Sequence, residues 1–213
     1  MDDSLSFELW SANHFHSKIA EHIASAAHPS RMVLVDAFAG AGGNTIAFAR
    51  SGRWKRVYGI EKNPAVLLCA KHNAKIYGVE DKITWFEGDS LQIVNNQLKD
   101  LGPYSVLFAS PPWGGMFSIP LVDDFEGAYT YTGPGYRSDK VFNLSTMEPY
   151  SLATLYNEYA LFTEHVVLYL PRTSNVKQLA KLVKDGEKAT VMHYCMEGAS
   201  KALCIYYGGF NLQ

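Results

Sequence analysis

What the sequence has little of already narrows it. Cysteine is scarce: Cys69, Cys195 and Cys204 are odd in number and form no CxxC pair, which excludes a disulfide framework and the common zinc spacings. All three are expected to be buried thiols. Long apolar runs are missing too, and Met1 to Trp10 carries Asp2, Asp3 and Glu8 where a secretory leader would be basic and then apolar. The chain is therefore expected inside the cell and off the membrane. Surplus positive charge is also absent. With 19 Lys and Arg against 21 Asp and Glu, the net charge of −2 excludes a protein that coats long nucleic acid, while leaving room for recognition of a small nucleic-acid feature. Of the seven histidines, His14, His16, His22 and His28 precede the first expected strand. His16 and His22 miss the i, i+4 spacing of a helical metal pair, so these four read as surface or capping residues and no metal is expected.

What is present is the rhythm of an α/β fold. In 213 residues of which 47% are hydrophobic, enough for one globular domain, short continuous apolar runs alternate with helical periodicity and nothing repeats. Strands are expected at 32–36, 56–60, 82–86, 104–109 and 165–170, and helices at about 43–50, 63–77, 90–98, 149–163 and 175–184. Two further strands, 189–196 and 202–207, are expected to close the chain as an antiparallel pair. The result is a doubly wound, mostly parallel, Rossmann-like sheet spanning 1–213, with a helical lead-in over 1–31 and ligands bound beyond the carboxyl ends of its strands. The segment 116–147 fits no element. It reads as an inserted loop rich in tyrosine and glycine, with Tyr129, Tyr131 and Tyr136, and loops of that length are often functional.

The strand ends hold the chemistry. Asp36-Ala-Phe-Ala-Gly40-Ala-Gly42-Gly43-Asn44 follows the first strand, and glycines there let backbone approach a ligand at a helix N-terminus. The spacing of Gly40, Gly42 and Gly43 is not that of a dinucleotide loop, and Asp36 would repel a pyrophosphate. Asp36 suits a cation instead, such as the ammonium of a methionine moiety held directly or through water, with Asn44 and the helix-start N–H groups on its carboxylate. Glu61, 21 residues past Gly40, can accept from ribose hydroxyls. Asp89 can accept from an adenine amino group, although Asp89 or Ser90 also suits the N-cap of the next helix. Last comes Ser110-Pro111-Pro112-Trp113-Gly114-Gly115. Two prolines fix the backbone, so a planar base stacked on Trp113 can donate from its NH2 to Ser110 and to the Pro111 carbonyl. A cationic N7-methylated guanine would add a cation–π attraction of roughly 0.5–2 kcal/mol.

With these motifs, and with Lys18-Ile-Ala-Glu-His-Ile23, His72-Asn73, Tyr77-Gly78, Asp81-Lys-Ile83 and Leu170-Pro-Arg172 beside them, the chain resembles the trimethylguanosine synthase family of RNA cap guanosine-N2 methyltransferases. The resemblance implies a class I S-adenosylmethionine-dependent methyltransferase that converts the 7-methylguanosine cap of small nuclear and nucleolar RNAs to 2,2,7-trimethylguanosine. It implies a cofactor set of Asp36, Phe38, Gly40, Gly42, Asn44, Glu61, Asp89 and Ser90. Ser110, Pro111 and Trp113 would be catalytic, and Trp113, Asn44, Arg172 and Lys201 would meet the capped substrate, the last two at its phosphates. Capped RNA and RNP proteins are the implied partners, a monomer the implied state and the nucleus, with its nucleoli and Cajal bodies, the implied compartment. Two stretches depart from the family. Trp10-Ser-Ala-Asn-His-Phe-His16 stands where the family has a Trp-Phe/Tyr-Ser-Val-Thr-Pro segment over the cofactor, and Met116-Phe117-Ser118 stands where Pro-x-Tyr is common, so a tyrosine of the loop is expected to replace that one.

Three alternatives use the same motifs. The Ser-Pro-Pro-Trp device also serves methyltransferases of adenine N6 or of a protein glutamine. A cap-binding module without activity would keep the aromatic and lose the acids, yet Asp36, Glu61 and Asp89 are all acidic. A nicotinamide-dependent oxidoreductase conflicts with the glycine spacing and with Asp36.

Overall fold

The computed structural model describes residues 16–112, 141–196 and 199–212, with the backbone alone at 196 and 199–201. After a helix over 16–26 (α1), strands and helices alternate: β1 Val33–Asp36, α2 Gly43–Arg50, β2 Arg56–Glu61, α3 Pro64–Ile76, β3 Ile83–Glu87, α4 Ser90–Asn96 and β4 Ser105–Ala109. Then come α5 Leu152–Phe162, β5 Val166–Pro171, α6 Val176–Ala180, β6 Ala189–Met196 and β7 Ala199–Tyr207. The seven strands lie in the order β3-β2-β1-β4-β5-β7-β6. β1 to β5 pair in parallel, while β7 runs antiparallel to both β5 and β6. The chain reverses direction across the sheet at β1 and β4, where a crevice opens past the carboxyl ends.

Alternation within each strand divides the core in two. On one face Val35, Leu107, Ala109, Val166, Leu168 and Leu170 pack with α4, α5 and α6. On the other Leu34, Val106, Phe108 and Val167 pack with Ile19 and Ile23 of α1 and with Ile46 and Phe48 of α2. The central strands are covered on both faces, which is why they are continuous apolar runs in the sequence. Among the described residues no helix is long and apolar enough to cross a membrane.

Element boundaries follow local chemistry. Asn63 accepts from the N–H groups of Ala65 and Val66, with Pro64 in the first turn, and Asp89 accepts from Leu91 and Gln92, so Asp89 and not Ser90 caps α4. α5 begins at Leu152 rather than 149, because Ser151 caps it by accepting from Thr154. α6 is shorter than its periodicity predicts. After Ala180 the backbone tightens to three-residue bonds, Leu182 to Leu179 and Val183 to Ala180, and Gly186 turns the chain at φ 81°.

Three expectations need correction. The end of the inserted stretch is not loose: Leu144–Thr146 forms a 3-10 turn, Leu144 and Met147 are buried, and Phe142 bridges to Ser174, so the core claims these apolar side chains. The rest of that stretch lies outside the described residues, with its tyrosines. Only Cys204 is a buried thiol; Cys69 and Cys195 are exposed, because α3 turns its Leu67, Ala70 and Ala74 face inward and β6 is an edge strand. Nor are His16 and His22 merely surface or capping residues, since each bonds to another element's side chain.

Candidate active site

The carboxyl ends of β1, β2, β3 and β4 are held together by hydrogen bonds that run from loop to loop. Ala37 donates its N–H to Phe108, Ala39 to Ile60 and Gly88 to Glu61, so the four turns form one wall. The first turn then bends into α2 at Gly42, whose φ of 93° disfavours a side chain and whose added Cβ would meet Ile46 and Ala70 at 3.1 and 3.3 Å. Among the described residues no atom lies within 4 Å of where a Cβ on Gly40 would stand, so that side of the turn is open to a ligand.

Three carboxylates line the wall, and each is differently bound. Asp36 is fully buried at the end of β1. One oxygen accepts from the Thr45 hydroxyl at 2.6 Å and the other from the Phe38 N–H at 3.3 Å. Burial pushes its pKa up to about 6, against the pull of those two hydrogen bonds and with a small push from Glu61. A ligand's ammonium therefore has no open path to direct contact, and its influence here would run through the field or an intervening donor. Glu61 accepts from Gly40 N–H at 3.0 Å and from Asn63 N–H at 2.8 Å, one bond to each oxygen, which leaves acceptor capacity on both. Asp89 caps α4 with one oxygen and accepts the Tyr150 hydroxyl on the other at 3.1 Å. That bond to the Asp89 carboxylate raises the Tyr150 pKa.

Ser110 lies half-buried at the end of β4, its hydroxyl donating to the Phe38 carbonyl at 3.4 Å, with Pro111 buried behind it. Trp113 lies outside the described residues. Asn44 faces α1, where its amide oxygen is 2.6 Å from His16 Nδ1, and burial lowers the His16 pKa against the pull of that bond. The His16 ring also covers Gly43, where an added Cβ would lie 3.0 Å from Nε2. Ser90 goes elsewhere: its hydroxyl bonds at 2.7 Å to Tyr159 inside the core, which keeps it from the loop cluster. Arg172 is exposed just past β5. The register that pairs Pro171 with Ala202 brings the backbone of Lys201 beside it, at the same end of the sheet as Ser110.

His16, Thr45 and Tyr150 are not legible in the sequence as site residues. Thr45 follows the glycine turn, and its position after that turn is the one local signal for a hydroxyl partner to a strand-end acid. Tyr150 reaches the site across 61 residues, with no local signal. Chemically, buried and half-buried acids around an open glycine turn suit a ligand with a cationic end and hydroxyl or amino donors. Oxygen acceptors at Ser110 suit an amine.

Residues 31–119 and 128–210 match the family model described as RNA cap guanine-N2 methyltransferase. Trimethylguanosine synthase of Schizosaccharomyces pombe is 32% identical over 176 residues, covering 82% of this chain and 65% of that protein. The Saccharomyces cerevisiae trimethylguanosine synthase is 28% identical over 188 residues, covering 86% and 53%. The chain thus spans 65% and 53% of the length of these two curated relatives. A solved S-adenosylmethionine-dependent methyltransferase from Agrobacterium tumefaciens shares the fold at a TM-score of 0.57 and 14% identity, over 92% of this chain and 62% of that one.

Proposed function

This chain belongs to the RNA cap guanine-N2 methyltransferase family, and on that premise we propose that it methylates the exocyclic N2 of the 7-methylguanosine cap with S-adenosylmethionine as donor. The products would be 2,2,7-trimethylguanosine caps on small nuclear and nucleolar RNAs, made by a monomer working in the nucleus beside RNP proteins. The observation that best supports the reading is the single wall formed by Asp36, Glu61 and Asp89 next to Ser110-Pro111. Adenine N6 and glutamine acceptors would use the same wall, but the family is one of cap enzymes.

The residues fit that cofactor. Among the described residues, Glu61 accepts one bond on each oxygen and keeps capacity for ribose hydroxyls, the Gly40 side of the turn is open, and buried Asp36 has hydrogen-bond donors but no cation beside it. When bound, the cofactor supplies an electrophilic methyl group on a cationic sulfur. The protein's part is positional. Ser110 oxygen and the Pro111 carbonyl accept from the amine, Trp113 supports the base, and Arg172 and Lys201 hold the cap phosphates. Because positive charge grows on the acceptor nitrogen, fixed oxygens near it stabilise the transition state without a strong base.

Labelled methyl transfer to 7-methylguanosine diphosphate, with guanosine diphosphate in parallel, tests this reading. Transfer to the methylated nucleotide alone is expected; transfer to adenine or glutamine peptides instead would overturn it. Tyr150→Phe is expected to weaken S-adenosylhomocysteine binding by about three- to tenfold, because the tyrosine hydroxyl orients the Asp89 oxygen that should also accept from the adenine amino group. The analogue with hypoxanthine in place of adenine should lose much less affinity. Calorimetry with both ligands reads the difference, and an equal loss for both would point to a purely structural tyrosine.

A further inference from the structure

We propose that the exposed lysines of α6 and the turn after it, Lys177, Lys181 and Lys184, form a track for the RNA chain that follows the cap. This deepens the cap reading and rests on it for the placement of the cap itself. The chain as a whole carries a net charge of −2, yet from Arg172 to Lys184 there are four cations and no Asp or Glu; Asp185 and Glu187 then end the row. The row starts at the carboxyl edge of the sheet, where Arg172 follows β5 beside the backbone of Lys201, and leads away from it as α6 runs back along the sheet.

The way α6 is anchored sets the direction of its lysines. Leu179 is its buried residue, and Gln178 is tied to the Leu144 N–H at 2.9 Å and to the Asn143 side chain at 2.7 Å. Lys177 and Lys181 are each two residues from Leu179, about 200° around the helix, and so both stand on the face turned from the core. Lys184, beyond the tight turn, is exposed as well. None of the three makes an ion pair with a described residue. Lysines with no ion pair among the described residues, in a row that begins at the proposed phosphate ligands, suit a polyanion led away from the cap, since each phosphate they neutralise releases a counterion.

The test compares the full chain with its Lys177→Gln, Lys181→Gln, Lys184→Gln triple variant. The ligands are a short unstructured RNA with a 7-methylguanosine triphosphate cap, the same RNA without a cap, and 7-methylguanosine diphosphate. Fluorescence anisotropy over a salt series is expected to show both RNAs binding the variant roughly 10- to 50-fold more weakly at about 0.15 M salt, with the slope of log affinity against log salt reduced by about 2. Affinity for the diphosphate should stay within about twofold, because the track lies beyond the cap phosphates. The corresponding triple Lys→Arg variant should bind RNA like the parent. Unchanged RNA affinity and slope overturn the proposal, as does an equal loss for the diphosphate. Absence of methyl transfer by the parent chain would instead count against the cap reading, and the salt slopes would still report on the lysines.

Discussion

Asp36→Asn should raise the unfolding free energy by up to about 3 kcal/mol above pH 7 and flatten its dependence on pH between about 4 and 6. The carboxyl is fully buried and its pKa rises from 3.8 to about 6 on folding. Between those values the folded protein holds a proton that the unfolded chain has released. Wild-type stability therefore falls as pH rises through this window and is level above it. Asparagine removes the cost of the buried charge yet keeps the hydrogen bonds, because its oxygen can accept from Phe38 N–H while its amide donates to Thr45. The same change removes the anion whose field favours the cofactor's ammonium without touching it, so S-adenosylhomocysteine should bind roughly 3- to 10-fold more weakly at neutral pH. Urea titrations at several pH values, with calorimetry on the same samples, read both effects. A wild-type curve that falls from pH 4 to 6 means that stability is given up here for function, whereas a curve flat over that range would contradict the buried-charge account.

Gly102→Ala should destabilise the protein by about 3 kcal/mol or more, lowering Tm by about 6 to 12 °C. Gly102 is buried in the 3-10 turn Lys99–Tyr104 that leads into β4. A methyl group there would lie 1.9 Å from the Phe162 carbonyl oxygen and 3.0 Å from its carbon, at the C-terminal end of α5. Both are backbone atoms, and no rotamer relieves the clash. The same junction is tied by Arg31, which donates to the carbonyls of Gly102 and Pro103 and pairs with Glu164. Separating α5 from β4 would disturb the strand that leads into Ser110, so methyl transfer should fall together with stability. Thermal unfolding followed by circular dichroism measures the first effect. A variant that melts like wild type would show that this junction yields more easily than its contacts indicate.

Other parts of the molecule show how far local sequence reaches. Pro64 in a first turn after Asn63, the glycine bend at Gly42 and the apolar runs of β1, β4 and β5 are local signals, and the elements they mark are present. The strand-end position of Asp36, Glu61, Asp89 and Ser110 follows from the same signals, since a doubly wound sheet puts every β-to-α turn at one edge. Exposure at Cys69 and Cys195 was not legible, because a small apolar side chain looks alike on either face of a helix or an edge strand.

By itself the sequence determined the alternation of strands and helices, the edge of the sheet that bears the acids, and the family, because these rest on local propensity, periodicity and short motifs. Only the tertiary structure decided what each acid does. It buried Asp36 against Thr45, gave Asp89 to the cap of α4 and to Tyr150, turned Ser90 inward to Tyr159 and set His16 against Asn44. Apart from the α4 cap, which is local, those partners lie 9 to 69 residues apart in the chain, on elements brought together by packing. The charge state and remaining hydrogen-bond capacity of a side chain depend on its neighbours in space, which no local pattern specifies.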